Sequence, residues 1–173
     1  MVESIKKLRD MTGFGIADCK KALTESNGNY DKALEILRAR GAEILAKKSD
    51  RVANQGLIDA YVHFSQSMAA MVEVNCETDF VAKSEDFKKF VKDVVMHIAA
   101  VGPKYVSVND VPADVLAGKT EDEKKDYIKE TCLLEQAFVK NPKLTIGDYL
   151  NDIGAKIREN IKIRRFTRYS LGE

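Results

Sequence analysis

The sequence has no tryptophan and very little proline, histidine or cysteine: three prolines, two histidines and three cysteines in 173 residues. With only ten glycines as well, the composition excludes collagen-like and low-complexity chains. Cys19, Cys76 and Cys132 are odd in number and widely spaced, which fits neither a disulfide framework nor a four-ligand zinc site, so reduced, structural thiols are expected. His63 and His97 are too few for a histidine-rich metal site and lie in no motif of nucleophilic catalysis. No catalytic residue, metal or cofactor is therefore assigned. Charge of one sign is also missing: 28 lysines and arginines face 27 acids, a net charge of +1, whereas a nucleic-acid binder needs a basic excess to neutralise phosphates. No window approaches the ~20 apolar residues that span a bilayer, and MVESIKKLRD lacks the apolar core of a secretory signal. The expectation is a cytoplasmic protein without membrane or direct nucleic-acid contact.

What is present is a chain 45% hydrophobic and 32% charged, the balance of a globular, helix-leaning protein. Its length suits a small module plus a medium one. A short helix is expected over Val2–Met11, a tight turn at Thr12-Gly13-Phe14-Gly15, and a second helix over Ile16–Ser26 ended by Asn27-Gly28. Asn29 can cap a third helix, in which Tyr30, Ala33, Leu34, Leu37, Gly41, Ile44 and Leu45 recur at helical spacing. Residues 47–56 are polar and aperiodic, as a linker is, which divides the chain into residues 1–52 and 53–173.

Beyond the linker, Ile58, Ala60, Val62 and Phe64 alternate with Asp59, Tyr61 and His63, and after a polar break Ala70, Val72, Val74 and Cys76 alternate likewise. Period two on both sides of a break predicts a β-hairpin. One long helix is expected from Phe80 to Ala100, with Ser84 and two acids at its start. Two shorter helices should cover Pro112–Ala117 and Glu121–Leu134, the second opened by Thr120 and Glu123 at capping-box spacing. A last helix from about Ile146 to Glu159 precedes a strand over Ile161–Tyr169. The fold class is α+β: a three-helix bundle, then a three-stranded antiparallel sheet with helices on one face.

Few motifs suggest chemistry. Gly13-Phe14-Gly15 is no phosphate loop, since no strand precedes it, the third glycine of the dinucleotide fingerprint is absent and no Gly-Lys-Ser/Thr follows. The basic run Lys162, Arg164, Arg165 and Arg168 reads as the solvated face of a terminal strand in preference to a phosphate contact. Asn75-Cys76-Glu77-Thr78-Asp79-Phe80-Val81 stands out, because a strand runs into a polar cluster holding a large aromatic. On periodicity alone, Phe80 seeds the core of the following helix.

Two segments alter that reading. LRDMTGFGIADCKKAL over Leu8–Leu23 and EVNCETDFVAK over Glu73–Lys83 resemble the two signatures of the elongation factor Ts family, in the family's order and spacing. The likeness extends to Met96–Ala100 and Ile157–Arg165, and so to nearly the whole chain. It implies an N-terminal bundle similar to ubiquitin-associated domains, an α/β core, and a guanine-nucleotide exchange factor for elongation factor Tu that carries out no covalent catalysis. Longer members carry two core halves, whereas this chain has room for one, and short members of the family form homodimers. The resemblance further implies that Thr78, Asp79, Phe80 and Val81 wedge into the partner's G domain, turning Phe80 from a core residue into a contact. The turn bearing Thr12, Gly13 and Ile16, with Arg9, would touch the nucleotide-binding region. Two rivals are an adaptor of the same architecture without exchange activity and an enzyme using Cys76 with His63 or His97.

Overall fold

In the computed structural model, residues 2–173 are described; Met1, the first residue of the expected N-terminal module, lies outside them. Helices α1 (Val2–Thr12), α2 (Ile16–Glu25) and α3 (Tyr30–Ala46) form the bundle. Its stops are those the sequence announces. Asn27 and Gly28 both take positive φ, and the Asn29 side chain accepts a hydrogen bond from Lys32 N at the start of α3. Leu8, Cys19, Ala22, Leu23, Ala33 and Leu37 make a small core of their own.

Strands β1 (Gln55–Val62) and β2 (Met68–Cys76) pair as the expected hairpin. The chain returns at its end as β5 (Lys162–Ser170), giving the antiparallel order β1-β2-β5. Leu57, Tyr61, Ala70, Val72, Val74, Ile163 and Phe166 point inward, under the helices. The more apolar set of β1 points the other way: Ile58, Val62 and, beyond the strand, Phe64 are exposed, together with Met71 and Tyr169. A bulge opposite Glu73 and Val74 leaves Arg164 as an extra residue. Arg165 and Arg164 both reach Glu73, at 2.7 and 3.6 Å, while Arg168 donates to the Ala99 carbonyl near the end of the long helix. Arg164 and Arg165 stay exposed while pairing with Glu73, as the solvated face of a strand does, and Arg168 is the one that is largely covered.

The single helix expected over residues 80–100 is two. A short α4 (Asp79–Lys83) ends at Ser84, whose extended backbone (φ −69°, ψ 146°) breaks the run, and α5 (Glu85–Val101) begins there with the Ser84 hydroxyl accepting from Phe87 N. A capping side chain thus overrides the continuous apolar period. Helix α5 lies across the sheet and buries Phe87, Phe90, Val91, Val94, Val95 and Ile98; full burial of each contributes about 2 kcal/mol. Helices α6 (Ala113–Leu116) and α7 (Glu121–Thr131) follow, α7 opened by the expected Thr120–Glu123 capping box. It stops three residues short of the expected Leu134, because Cys132 turns extended to bridge Tyr105 and a 3₁₀ turn covers Leu133–Glu135. A two-stranded ribbon, β3 (Ala137–Phe138) with β4 (Asn141–Thr145), had no counterpart in the sequence reading: two residues are too short to display a period. Helix α8 (Ile146–Ile157) packs Ile146, Tyr149, Leu150, Ile153 and Ile157 into the same core as α5.

Polar groups buried in this core are bonded. Asp93 accepts from Lys140 Nζ at 2.6 Å and from the Tyr149 hydroxyl at 3.0 Å, and burial followed by the Asp93 charge holds the Tyr149 phenol above its ordinary value. His97 is fully buried; its Nδ1 accepts from Val139 N, so the proton sits on Nε2 and is donated to Gln136 Oε1 at 3.0 Å. Burial lowers its pKa, only partly offset by Gln136, so the folded protein holds the ring neutral where the unfolded chain would protonate it. Stability contributed by the neutral ring is complete above the ordinary histidine value and is lost as pH falls below it, by at most about 1.4 kcal/mol per pH unit. Thermal unfolding at pH 7.5 and 5.5 is expected to show this loss in the wild type and a flatter response in His97→Asn.

Candidate partner-binding surface

Strand β2 ends at Cys76 and delivers the chain straight into α4. Thr78 is the N-cap, its Oγ1 accepting from Val81 N at 3.3 Å. Helix α4 has two faces. Val81 and Ala82 turn in against the main core, while Phe80 is 81% exposed, which overturns the core role that periodicity favoured for it. Asp79, half-exposed in the first turn, pairs with Lys83 at 2.7 Å, and that hydrogen bond holds its carboxyl below the ordinary value. An aromatic ring and a fixed negative charge thus stand side by side on the surface.

Beneath them the Cys76 thiol is fully buried and donates to the Thr78 carbonyl at 3.2 Å. Burial, with the nearby Glu159 carboxylate, pushes it up to about 11, so it stays protonated. His63 bonds to Ser65, and His97 to Gln136 and Val139. Neither histidine is bonded to Cys76, so the structure does not assemble a cysteine nucleophile with its base. Cys19 and Cys132 are likewise buried and free.

The second segment is the turn between α1 and α2. Thr12 is buried, its hydroxyl donating to Leu8 O at 2.6 Å, so it shapes the turn from within. Gly13 has φ +68°, and a Cβ there would lie 2.6 Å from Lys156 Cα of α8. Ile16, 59% exposed, and Arg9, paired only with neighbouring Asp10, are the members that face solvent.

Helix α8 brings the two segments together. On the side away from the main core it receives the bundle: Arg38 grips Asp152 through two hydrogen-bonding nitrogens, and Gly41 leaves room for Ala155. Lys156, lying under Gly13, also reaches Asp86 at the start of α5 at 2.7 Å. Glu159, just past the helix, accepts hydrogen bonds from Glu77 and Thr78. The turn and the exposed Phe80 are thus held by the same few residues at one end of α8. The likeness of residues 157–165 to the family gives Glu159 no role of its own. An acid immediately after a helix carries no local signal of what it will bond to.

A family model described as elongation factor TS matches residues 15–126 and 123–173. The chain belongs to the elongation factor Ts family. Proteins named Elongation factor Ts from Thermoanaerobacter sp. (strain X514) and Alkaliphilus oremlandii (strain OhILAs) are 46% and 48% identical to it over 192 and 190 aligned positions. These alignments cover 99% and 98% of this chain and 94% and 88% of the relatives, and that from Caldanaerobacter subterraneus subsp. tengcongensis is 45% identical over 99% and 96%. Family membership makes the protein a translation elongation factor. Alignments longer than the 173 residues mean that the relatives carry positions without a counterpart here, and the two matched segments of the family model overlap at residues 123–126, inside α7.

Gly13→Ala is expected to lift the turn off Lys156, because the new methyl has no room and the backbone angle is strained for any L side chain. A loss in denaturant unfolding about 1–3 kcal/mol larger than that of Gly28→Ala, which bears similar backbone strain at φ +81° but stands in open space, would be the signature.

Proposed function

We propose that this protein is a guanine-nucleotide exchange factor: it binds elongation factor Tu in its GDP form and promotes GDP release so that GTP can rebind. The observation that carries the reading is Phe80, a large apolar ring left 81% exposed on a helix otherwise fastened to the core. Burying it in a pocket of the partner can contribute about 2 kcal/mol, as anchor residues at interfaces do. Asp79 beside it brings negative charge towards a site where the partner holds phosphates and magnesium. Val81 and Thr78 keep the helix in place, and Ile16 and Arg9 supply the second contact from the turn that Thr12 and Gly13 shape.

Exchange needs no covalent step and no cofactor. A protein that stabilises the nucleotide-weak conformation of its partner speeds release, and the coupling is reciprocal: GDP weakens the factor's binding by the same ratio. The factor works in the cytoplasm, with residues 1–52 and 53–173 as its two modules.

We further infer a homodimer formed through the open face of the sheet. Ile58, Met71, Glu73, Arg165 and Thr167 border a shallow trough there, flanked by exposed Val62 and Tyr169. A second copy of the same face would cover these side chains about a two-fold axis. Met71→Lys at the middle of the face is expected to halve the mass seen by sedimentation equilibrium while leaving the helical circular dichroism unchanged.

The decisive assay is release of a fluorescent GDP analogue from elongation factor Tu, in excess unlabelled GDP, with this protein substoichiometric. Acceleration with turnover is expected. Phe80→Ala should retain the wild-type melting temperature and slow catalysed release by about thirty-fold, the equivalent of ~2 kcal/mol. A folded wild-type chain that leaves release unchanged would favour the adaptor instead.

A further inference from the structure

Glu159 fastens the segment that leads into α4. Its half-buried carboxylate accepts three hydrogen bonds from two consecutive residues: Glu77 N at 3.0 Å and Thr78 N at 3.1 Å on Oε2, and Thr78 Oγ1 at 2.7 Å on Oε1. Both amides lie just past Cys76, where the β1–β2 ladder ends and no longer supplies acceptors. The bonding is returned, since Glu77 Oε1 accepts from Asn160 N at 2.7 Å. Asn160 Nδ2 in turn donates to the carbonyls of Ser49 and Arg51, which fixes this corner to the chain leaving the bundle. Arg158, in the left-handed region at φ +64°, turns the backbone out of α8 and aims Glu159 at the β2–α4 junction.

Thr78 is where this clamp meets the wedge. One hydroxyl serves two purposes, accepting from Val81 N as the cap of α4 and donating its proton to Glu159. A five-residue helix has no stability of its own, so its pose is set by its anchors. Phe80 lies two residues beyond Thr78, and its ring, without a polar atom, makes no hydrogen bond to the clamp. The population of the exposed pose therefore depends on hydrogen bonds in which the ring takes no part.

We propose that Glu159 is a positioning residue: by holding Thr78 it keeps α4 in the pose that presents Phe80 to the partner. The inference rests on the exchange reading above. Loss of pre-organisation raises the apparent dissociation constant in inverse proportion to the competent fraction and leaves the saturated rate alone. This differs from losing Phe80 itself, which removes the contact.

The test uses the full chain with Glu159→Ala, Glu159→Gln, Phe80→Ala and the double variant Phe80→Ala/Glu159→Ala. GDP release from elongation factor Tu is titrated against factor concentration, and amide hydrogen exchange is followed at Glu77 and Thr78. A competent fraction reduced to a tenth makes Glu159→Ala raise the half-saturating concentration about ten-fold with the maximal rate within about two-fold. Glu159→Gln is expected to recover to within about three-fold, because its oxygen still accepts both amides and its NH₂ can donate to the Thr78 hydroxyl. In the Phe80→Ala background the Glu159→Ala change should add less than about two-fold. The proposal is overturned by a fall in maximal rate at unchanged half-saturation, by equal losses in the alanine and glutamine variants, or by an undiminished effect without Phe80. If Glu159→Ala fails to fold, Glu159→Asp, one methylene short of the three donors, is read by the same titration. If the wild-type chain does not accelerate release, the exchange reading falls, and the amides alone decide the clamp. Selective loss of protection at Glu77 and Thr78 in the alanine variant sustains it; unchanged or globally lost protection refutes it.

Discussion

Helix α8 has to satisfy two sides at once, and the arrangement of the whole molecule depends on it. One stripe, Ile146, Tyr149, Leu150, Ile153 and Ile157, completes the core between α5 and the sheet. The other, Asp152, Ala155 and Lys156, receives the N-terminal bundle through Arg38, Gly41 and Gly13. The two stripes are interleaved along the same twelve residues, so the bundle cannot shift without disturbing the helix that fills the main core. The Arg38–Asp152 pair sits within this seam; burial pushes the Asp152 carboxyl up while Arg38 pulls it back, and the bidentate geometry adds direction to the contact.

The placement of apolar surface follows from the same economy. A three-stranded sheet covered by helices on one side leaves its other side to solvent, and here that side carries exposed Ile58, Val62 and Met71 beside the polar Glu73, Arg165 and Thr167. Phe80 is a second instance, an exposed ring beside a half-buried Val81 on one short helix. Both are exposed apolar surface, which the proposed dimer and partner contact would cover.

Much of this was legible in local patterns. Caps act within three or four residues, so Asn29, Ser84 and Thr120 mark helix starts that the structure keeps. The hairpin and terminal strand showed their period of two, and α8 its period of 3.6. Where local signals competed, the pattern misled: the apolar run from Phe80 through Ile98 reads as one helix, yet the Ser84 cap divides it. The β3–β4 ribbon was invisible because its pairing is made across a turn by residues too few to repeat.

The sequence by itself determined the α+β class, the order of the main elements and, through two signature segments, the family, because capping, periodicity and residue identity are properties of neighbours along the chain. Tertiary structure alone decided which face of β1 is buried, that Thr12 is inside, and that Glu159 meets Thr78. Those outcomes depend on groups roughly 80 residues apart being brought within hydrogen-bonding distance, and a bond between Glu159 and Thr78 leaves no trace in the sequence around either of them.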